Sequence, residues 1–102
     1  MFDAIVVSRF LWRPLFPQIF NCLAVGGVLI YETFAAGNEQ YGSPRNPDFL
    51  LRAGELVERT CETLIPIAYD HATLTEPPRL VARIAAVGPD HIWLKNPPRA
   101  AS

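Results

Sequence analysis

Two apolar runs mark the first third of the chain. They lie at residues 2–8, where Asp3 interrupts the run and Ser8 ends it, and at residues 28–31. Neither run alternates between apolar and polar positions, which is typical of strands that helices cover on both faces. Between the two runs, apolar side chains recur every four residues from Leu15 to Leu23, and this spacing predicts a helix over residues 13–24. Strand, helix and strand in this order predict one right-handed βαβ unit, and therefore an α/β fold.

A glycine pair, Gly26 and Gly27, separates the predicted helix from the second strand. Gly26 suits the position past a helix C-terminus that requires a positive φ, because glycine has no Cβ to clash there. We therefore expect the helix to end at the pair. Glu32 and Thr33 close the strand that follows, and ligands of open α/β sheets bind outside the carboxyl ends of the strands. This polar end is the first place to look for a site.

The second half of the chain predicts a short helix and a β-hairpin. Residues 54–61 form an amphipathic pattern that buries Leu56, Val57 and Cys61. Residues 63–70 are strand-like but include Pro66, which confines the strand to a sheet edge. The connection to the next strand, residues 79–87, is too short for a crossover, so the two strands must be antiparallel. The predicted domain spans residues 1–88, and residues 89–102 predict a partly disordered tail.

The polar segment between residues 35 and 48 is rich in Gly, Pro and Asn and is long for a simple connection. Loops of this length are usually functional lids or disordered segments. Because the segment leaves the carboxyl end of the second strand, we expect a lid over the crevice. A passive linker is the alternative.

Composition narrows the possible partners. The 102 residues suit one small domain, and a net charge of -1 gives no sign of a nucleic-acid or membrane-surface partner. The chain has no apolar run of the roughly 18 to 20 residues that cross a bilayer and no signal-peptide pattern, so we expect a cytoplasmic protein. Cys22 and Cys61 are isolated and predict buried, reduced thiols. His71 and His91 lack metal-ligand spacing, so no metal site is expected.

Polar residues converge on the predicted crevice from three places. They are Ser8, Arg9 and Arg13 after the first strand, Glu32 and Thr33 after the second, and Asn38, Tyr41 and Arg45 in the lid. From the pattern alone they could equally be ordinary exposed loop residues.

A set of short motifs adds a family resemblance. The motifs are Arg9-Phe10-Leu11-Trp12-Arg13-Pro14-Leu15, Gly26-Gly27, Tyr31-Glu32-Thr33-Phe34, Gly37-Asn38-Glu39, Tyr41-Gly42, Asn46-Pro47-Asp48-Phe49-Leu50-Leu51 and Gly54-Glu55-Leu56. Together they resemble the C-terminal half of class I S-adenosylmethionine-dependent methyltransferases, closest to the tellurite-resistance-like branch, over residues 2–87. Phe10 and Trp12 depart from the Tyr and His expected there, as do Val25 and Ala53 from two expected prolines.

The resemblance implies a partial Rossmann-like methyltransferase sheet. Residues 2–8 would be its fourth strand, 28–32 its fifth, 64–69 its edge strand and 79–87 an antiparallel strand inserted between the last two. It also implies site residues. Ser8, Arg9 and Phe10 would border the cofactor, S-adenosylmethionine, while Arg13, Glu32, Thr33 and Tyr41 would face a small-molecule acceptor.

Two functions follow as expectations. The first is a methyltransferase fragment, a truncated domain that takes part in methyl transfer to a small acceptor in a full-length parent. The strands and the acidic and glycine-rich loop that hold most of the cofactor are not among these residues, so the lone chain is expected to turn over little or not at all. The alternative is a non-enzymatic binding or assembly module. In both cases the bare edge of strand 2–8 predicts a homo-oligomer, a dimer or larger.

Overall fold

The computed structural model of the chain describes residues 2–89 and 91–96; residue 90 and residues 97–102 of the expected tail lie outside it. Within the described residues, four strands form one mixed sheet. The strands are β1 (Phe2–Ser8), β2 (Leu23–Phe34), β3 (Ile65–Thr75) and β4 (Pro78–Val87), and their order across the sheet is β1-β2-β4-β3.

The helices of the described residues are short. They are α1 (Phe16–Asn21) and α2 (Glu55–Thr60), with 3-10 turns at Arg13–Leu15, Asn38–Gln40, Pro47–Phe49 and Ile92–Leu94. The helix predicted over residues 13–24 is therefore split and ends early. Pro14 and Pro17 each lie in the first turn of a helical piece, where a missing N–H is tolerated. None of these helices has the length and apolar character needed to cross a membrane.

The strand directions confirm the α/β prediction. β1 and β2 are parallel and α1 lies between them in the chain, so they form the expected βαβ unit. β4 runs antiparallel to both β2 and β3, which confirms the hairpin. The hairpin is longer than expected, because β3 continues to Thr75 and leaves only Glu76 and Pro77 between the strands. β3 is an edge strand, as Pro66 predicts.

The expectation for the glycine pair was wrong. Gly26 does not adopt a positive φ, and β2 already begins at Leu23 and passes through the pair. The register explains this: Phe2 pairs with Leu23 but Ala4 pairs with Val28, so β2 uses five residues where β1 uses two. A bulge of this kind bends a strand locally, and glycines commonly mark it. Pairing with β1, rather than a helix end, accounts for this stretch.

The helices of the described residues cover one face of the sheet, not both as expected. Leu29, Tyr31 and Thr33 of β2 are at most 2% exposed, whereas Ile30 between them is 45% exposed. The core that holds Leu29 and Tyr31 includes side chains of both α1 and α2, so the two helices lie against the same face. We call this the covered face, and the face with Val6 and Ile30 the open face. An apolar run alone could not reveal that both helices of the described part of the chain lie on one face.

The cysteine prediction was half right. Cys22 and Cys61 are free thiols, but both are exposed rather than buried. Each is the C-terminal cap of a short helix, Cys22 of α1 and Cys61 of α2. Because the helices end earlier than their apolar patterns suggest, the two thiols lie past the buried stripe.

Candidate functional site

An open cavity of about 230 Å³ lies at the carboxyl ends of β1 and β2. Three parts of the chain line it: Arg9 and Phe34 at the strand ends, Asn38, Tyr41, Gly42 and Ser43 in the segment predicted as a lid, and Pro77, Pro78 and Arg79 at the hairpin. The cavity therefore occupies the place where open α/β sheets bind ligands. We call it the strand-end cavity.

Arg9 enters the strand-end cavity through an unusual backbone conformation. Its φ is 57°, in the left-handed region that costs a side-chain-bearing residue roughly 1 kcal/mol or more. Its N–H still donates to the carbonyl of Glu32 at 2.9 Å, so the turn away from β1 begins only after this bond. Strained residues of this kind cluster at functional sites, which makes Arg9 the best placed of the predicted residues.

The segment from residue 35 to 48 forms one wall of the strand-end cavity and is fastened at its base. Asn38 is 2% exposed; its side-chain oxygen accepts from the Leu80 N–H at 2.8 Å and its amide donates to the Ser43 carbonyl at 3.4 Å. The Ala36 N–H donates to Leu51 at 2.8 Å. These bonds tie the segment to β4 and to the chain that follows it, so Tyr41 is held at the cavity.

The strand-end cavity is electropositive. Its lining includes two arginines, Arg9 and Arg79, and no carboxylate. The Arg79 guanidinium donates to the carbonyl of Pro77 at 2.9 Å, which keeps it at the hairpin turn. The ring of Tyr41, which is 42% exposed, and that of Phe34 add aromatic surface. A small anionic molecule with a planar part suits this lining best.

Arg13, predicted to face an acceptor, does not line the strand-end cavity. Its Nε donates to Oε2 of Glu55 at 2.6 Å and its Nη2 to Oε1 at 2.9 Å. The same guanidinium donates to the carbonyls of Asp48 and Leu50 at 3.0 and 2.8 Å. Arg13 therefore joins the entry to α1, the end of the polar segment and α2, and its donors are used within the protein.

The protonation states of this ion pair are fixed by its contacts. Burial alone would raise the pKa of Glu55, but the hydrogen bonds from Arg13 and Arg52 and the charges of those residues outweigh it, so the pKa of Glu55 is lowered. The hydrogen bond to Glu55 raises the pKa of Arg13. Both groups are charged at neutral pH, as a stable bidentate pair requires.

The other predicted residues divide between the two faces. Thr33 is buried on the covered face, at 2% exposure. Ser8 and Glu32 pair in register and lie on the open face, where Glu32 is opposite Arg83. Phe10 is 44% exposed, and its carbonyl accepts a hydrogen bond from the Tyr31 hydroxyl. Of the seven residues that the resemblance assigns to a site, the strand-end cavity brings together Arg9 and Tyr41. Of the two further polar residues expected at the crevice, Asn38 lines the cavity and Arg45 does not.

Sequence reasoning missed Arg79. Nothing near it in the chain suggests a site, because it lies in the hairpin rather than after a parallel strand. The available signal was topological: an antiparallel strand placed next to β2 begins at the end where β2 finishes. That placement brings the start of β4 to the carboxyl ends of β1 and β2.

No metal site emerges from residues 2–89 and 91–96, since no group of three His, Cys, Asp or Glu side chains there could hold an ion. His71 lies in β3 and is exposed. His91 is partly buried, and its Nδ1 accepts from the Trp93 N–H at 3.0 Å at the start of the last 3-10 turn.

No protein-family model matches the chain, and no curated protein matches it either.

Proposed function

We propose that this chain forms the acceptor side of a class I S-adenosylmethionine-dependent methyltransferase domain, whose other half is supplied by a further polypeptide segment. The observation that carries the proposal is the direction of β4. An ordinary doubly wound sheet is parallel, whereas here an antiparallel strand is inserted between β2 and the edge strand β3. The motif resemblance predicts this inserted strand at this position.

Strand order alone does not define a function, because one fold supports many activities. The second support is the position of the strand-end cavity, where the acceptor of such an enzyme would lie beside the cofactor. Two arginines, two aromatic rings and no carboxylate favour a small anionic acceptor. The work of this chain would be to hold that acceptor in line with the reacting methyl group, since alignment is the main requirement of the transfer.

The residues fit the cofactor in part. Phe10 offers an exposed ring beside the end of β1, where an adenine could stack, and Arg9 lies next to it. The strand-end cavity has no carboxylate to accept from ribose hydroxyls, and no glycine-rich turn follows β1. When bound, S-adenosylmethionine would supply an electrophilic sulfonium methyl. This chain would contact its adenosyl edge only, so we expect weak binding.

A ligand titration followed by NMR tests the proposal. We expect S-adenosylmethionine and S-adenosylhomocysteine to shift the backbone amide signals of residues 8–10 and Tyr41 in the full chain, with adenosine giving the same pattern and methionine giving none. Arg9→Gly should weaken the effect several-fold, because glycine adopts the φ of 57° freely while the guanidinium is lost. Arg45→Gly, an exposed residue that does not line the cavity, is the matched control. Shifts located elsewhere, or none at the highest soluble ligand concentration, would contradict the proposal.

A second candidate function is an association module that acts without methyl transfer. The observation in its favour is the first strand, which is the outer strand of the described sheet and has Val6 70% exposed. An open strand edge with apolar surface is a common site of β-augmentation. The two functions differ in what they need: the first requires a ligand in the strand-end cavity, and the second requires only the edge.

A further inference from the structure

We propose that Asn38 is a positioning residue of the strand-end cavity: its side chain holds the polar segment to the start of β4, and so fixes the spacing of two cavity walls and the affinity for a ligand between them. The inference rests on the proposed function only in taking the strand-end cavity as the ligand site. It requires neither cofactor binding nor methyl transfer.

The ladder between β2 and β4 ends at a residue pair that Asn38 completes. Phe34 and Val81 are the last partners of the ladder, so Ala35 and Leu80 come next. The Ala35 N–H donates to the Leu80 carbonyl at 3.1 Å, and a hydrogen-bonded antiparallel pair would also return a bond from Leu80 to Ala35. Instead the Leu80 N–H donates to the Asn38 side-chain oxygen at 2.8 Å, while the Asn38 N–H donates to the Ala35 carbonyl at 3.0 Å. Asn38 thus continues the sheet where β2 leaves it.

The same carboxamide reaches the opposite wall of the cavity. Its NH2 group donates to the Ser43 carbonyl at 3.4 Å, and Asn38 is 2% exposed, so water has little access to these bonds. Ser43 lies two residues after Tyr41 in one cavity wall, and Leu80 directly follows Arg79 in the other. One buried side chain therefore connects the wall with the Tyr41 ring to the wall with the Arg79 guanidinium.

Gly37 shows how closely the polar segment approaches β4 at this joint. Its φ is 109°, and a Cβ at this position would lie 3.0 Å from Cδ1 of Leu80. Glycine adopts this φ readily and leaves room for the leucine side chain. The spacing of the two walls therefore depends on two neighbouring residues, one that binds β4 and one that allows the close approach.

The spacing matters because a ligand that fills the cavity touches both walls. Binding groups must be held within about 0.5 Å of their productive geometry, and the residues that support them determine whether they are. Without the carboxamide, the Leu80 N–H loses its acceptor, and a shift of the segment that admits water restores a partner. The walls then separate, so a ligand that bridges them binds more weakly although the protein stays folded.

An NMR titration of the full chain with benzenesulfonate tests the proposal. This planar anion suits the arginines and aromatic rings of the cavity, and we expect it to shift the amide signals of the lining residues. Asn38→Ala should raise its Kd at least about fivefold, measured on the signals of the folded protein. Asn46→Ala is the matched control, since Asn46 lies in the same segment, is exposed and accepts a hydrogen bond from the Asp48 N–H outside the cavity. A wild-type chain that does not bind the probe in the cavity, or an equal Kd for wild type and Asn38→Ala, would overturn the proposal.

A second variant disturbs the same joint and keeps the carboxamide. Gly37→Ala should raise the Kd for benzenesulfonate about threefold or more, because its Cβ pushes against Leu80. Gly54→Ala is its control: Gly54 also has a positive φ, of 77°, but a Cβ there has no atom within 4 Å and the residue does not line the cavity. If both alanines weaken binding equally, backbone strain rather than wall spacing is the cause, and the proposal fails.

Amide hydrogen exchange shows whether Asn38 acts through Leu80. In Asn38→Ala, the protection of the Leu80 amide should fall at least about tenfold, while the Ala35 amide, whose acceptor is the Leu80 carbonyl, should stay within about threefold of the wild type. Equal losses at both amides would show that the variant loosens the whole end of the sheet, which contradicts a specific role. S-adenosylmethionine is absent from these measurements, so this proposal and the proposed function can each fail alone.

Discussion

The covered and open faces of the sheet each contain an arginine–carboxylate pair, in very different surroundings. On the covered side, Arg13 binds Glu55, whose side chain is fully buried, and also binds two backbone carbonyls. On the open face, Arg83 of β4 binds Asp70 of β3 in the same bidentate manner, but the two side chains are 40% and 47% exposed. The same chemistry joins three parts of the chain in one place and two neighbouring strands in the other.

The pKa of the carboxylate is lowered in both pairs, but for different reasons. The hydrogen bond from Arg83 is the main cause that lowers the pKa of Asp70. For Glu55, burial opposes ionisation most strongly and only the combined contacts of Arg13 and Arg52 overcome it. Removing the partner of a buried carboxylate lowers the free energy of unfolding much more than removing the partner of an exposed one. We therefore expect substitutions on the covered face to lower the free energy of unfolding more than similar substitutions on the open face.

The largest expected effect comes from truncating adjacent residues of β2 on opposite faces. Leu29→Ala should lower the free energy of unfolding by about 2–5 kcal/mol, because Leu29 has no exposed surface and its loss leaves a cavity. Ile30→Ala should cost about 1 kcal/mol or less, since Ile30 is 45% exposed. Urea unfolding at a concentration where the chain is monomeric measures both. Equal losses would mean that the open face is covered in solution.

Breaking the two ion pairs gives the next largest contrast. Glu55→Gln should lower the free energy of unfolding by about 2–4 kcal/mol, somewhat less than for a fully buried pair because the Arg13 side chain is 26% exposed. Asp70→Asn should cost no more than about 0.5 kcal/mol. The same urea titration compares them, and added salt should reduce only the smaller effect.

The pH dependence of stability follows from the same pair. Since the pKa of Glu55 is lower in the folded protein than its ordinary 4.5, the unfolded chain takes up the proton first as pH falls. The contribution of the ionised Glu55 to the free energy of unfolding is complete above about pH 4.5, and it is lost as pH falls through the lower pKa of the folded protein. Glu55→Gln should therefore flatten the acid side of a stability profile measured by urea midpoint. A profile as steep as that of the wild type would exclude Glu55 as its main cause.

Much of the fold was predictable because its signals are local. The apolar run of β1, the position of Pro66 and the short hairpin connection each determine an element or its place without reference to distant residues. The glycine pair was misread because its bulge depends on how β2 pairs with β1, and pairing is not visible in a single segment. The open face was missed for the same reason. Which face the described helices pack on depends on tertiary contacts, and these are not visible in a single segment either.

The site was less predictable, for a related reason. An arginine after the first strand suggests a ligand contact, but Arg13 is paired with Glu55, 42 residues further along the chain. Arg9 lines the strand-end cavity because it follows a parallel strand directly. Arg79 reaches the strand-end cavity only through the antiparallel placement of β4. Residues whose role depends on tertiary pairing were the ones that sequence patterns missed or misplaced.

A smaller effect is expected from Tyr31, in the core of the covered face. Burial raises the pKa of its phenol to about 12, although the charge of Arg13 opposes this. Because the folded pKa is the higher one, its contribution to stability is complete below pH 10 and is lost as pH rises toward 12. Tyr31→Phe should remove this alkaline loss, and should cost about 1 kcal/mol at neutral pH because the hydrogen bond to Phe10 is lost. Urea midpoints at neutral and alkaline pH measure both effects.

Tyr69 gives the smallest effect, with the opposite sign. Its hydroxyl is buried and has no hydrogen-bond partner among the described residues, in contrast to the Tyr31 hydroxyl. A buried hydroxyl without a partner loses its hydration and gains nothing in return, so Tyr69→Phe should raise the free energy of unfolding by up to about 1 kcal/mol. Tyr31→Phe is the matched comparison, since the same atom is removed from the same face. If Tyr69→Phe destabilises the protein as much as Tyr31→Phe does, its hydroxyl must have a partner in solution, and the covered face must be wetter at its β3 edge than the packing of its core indicates.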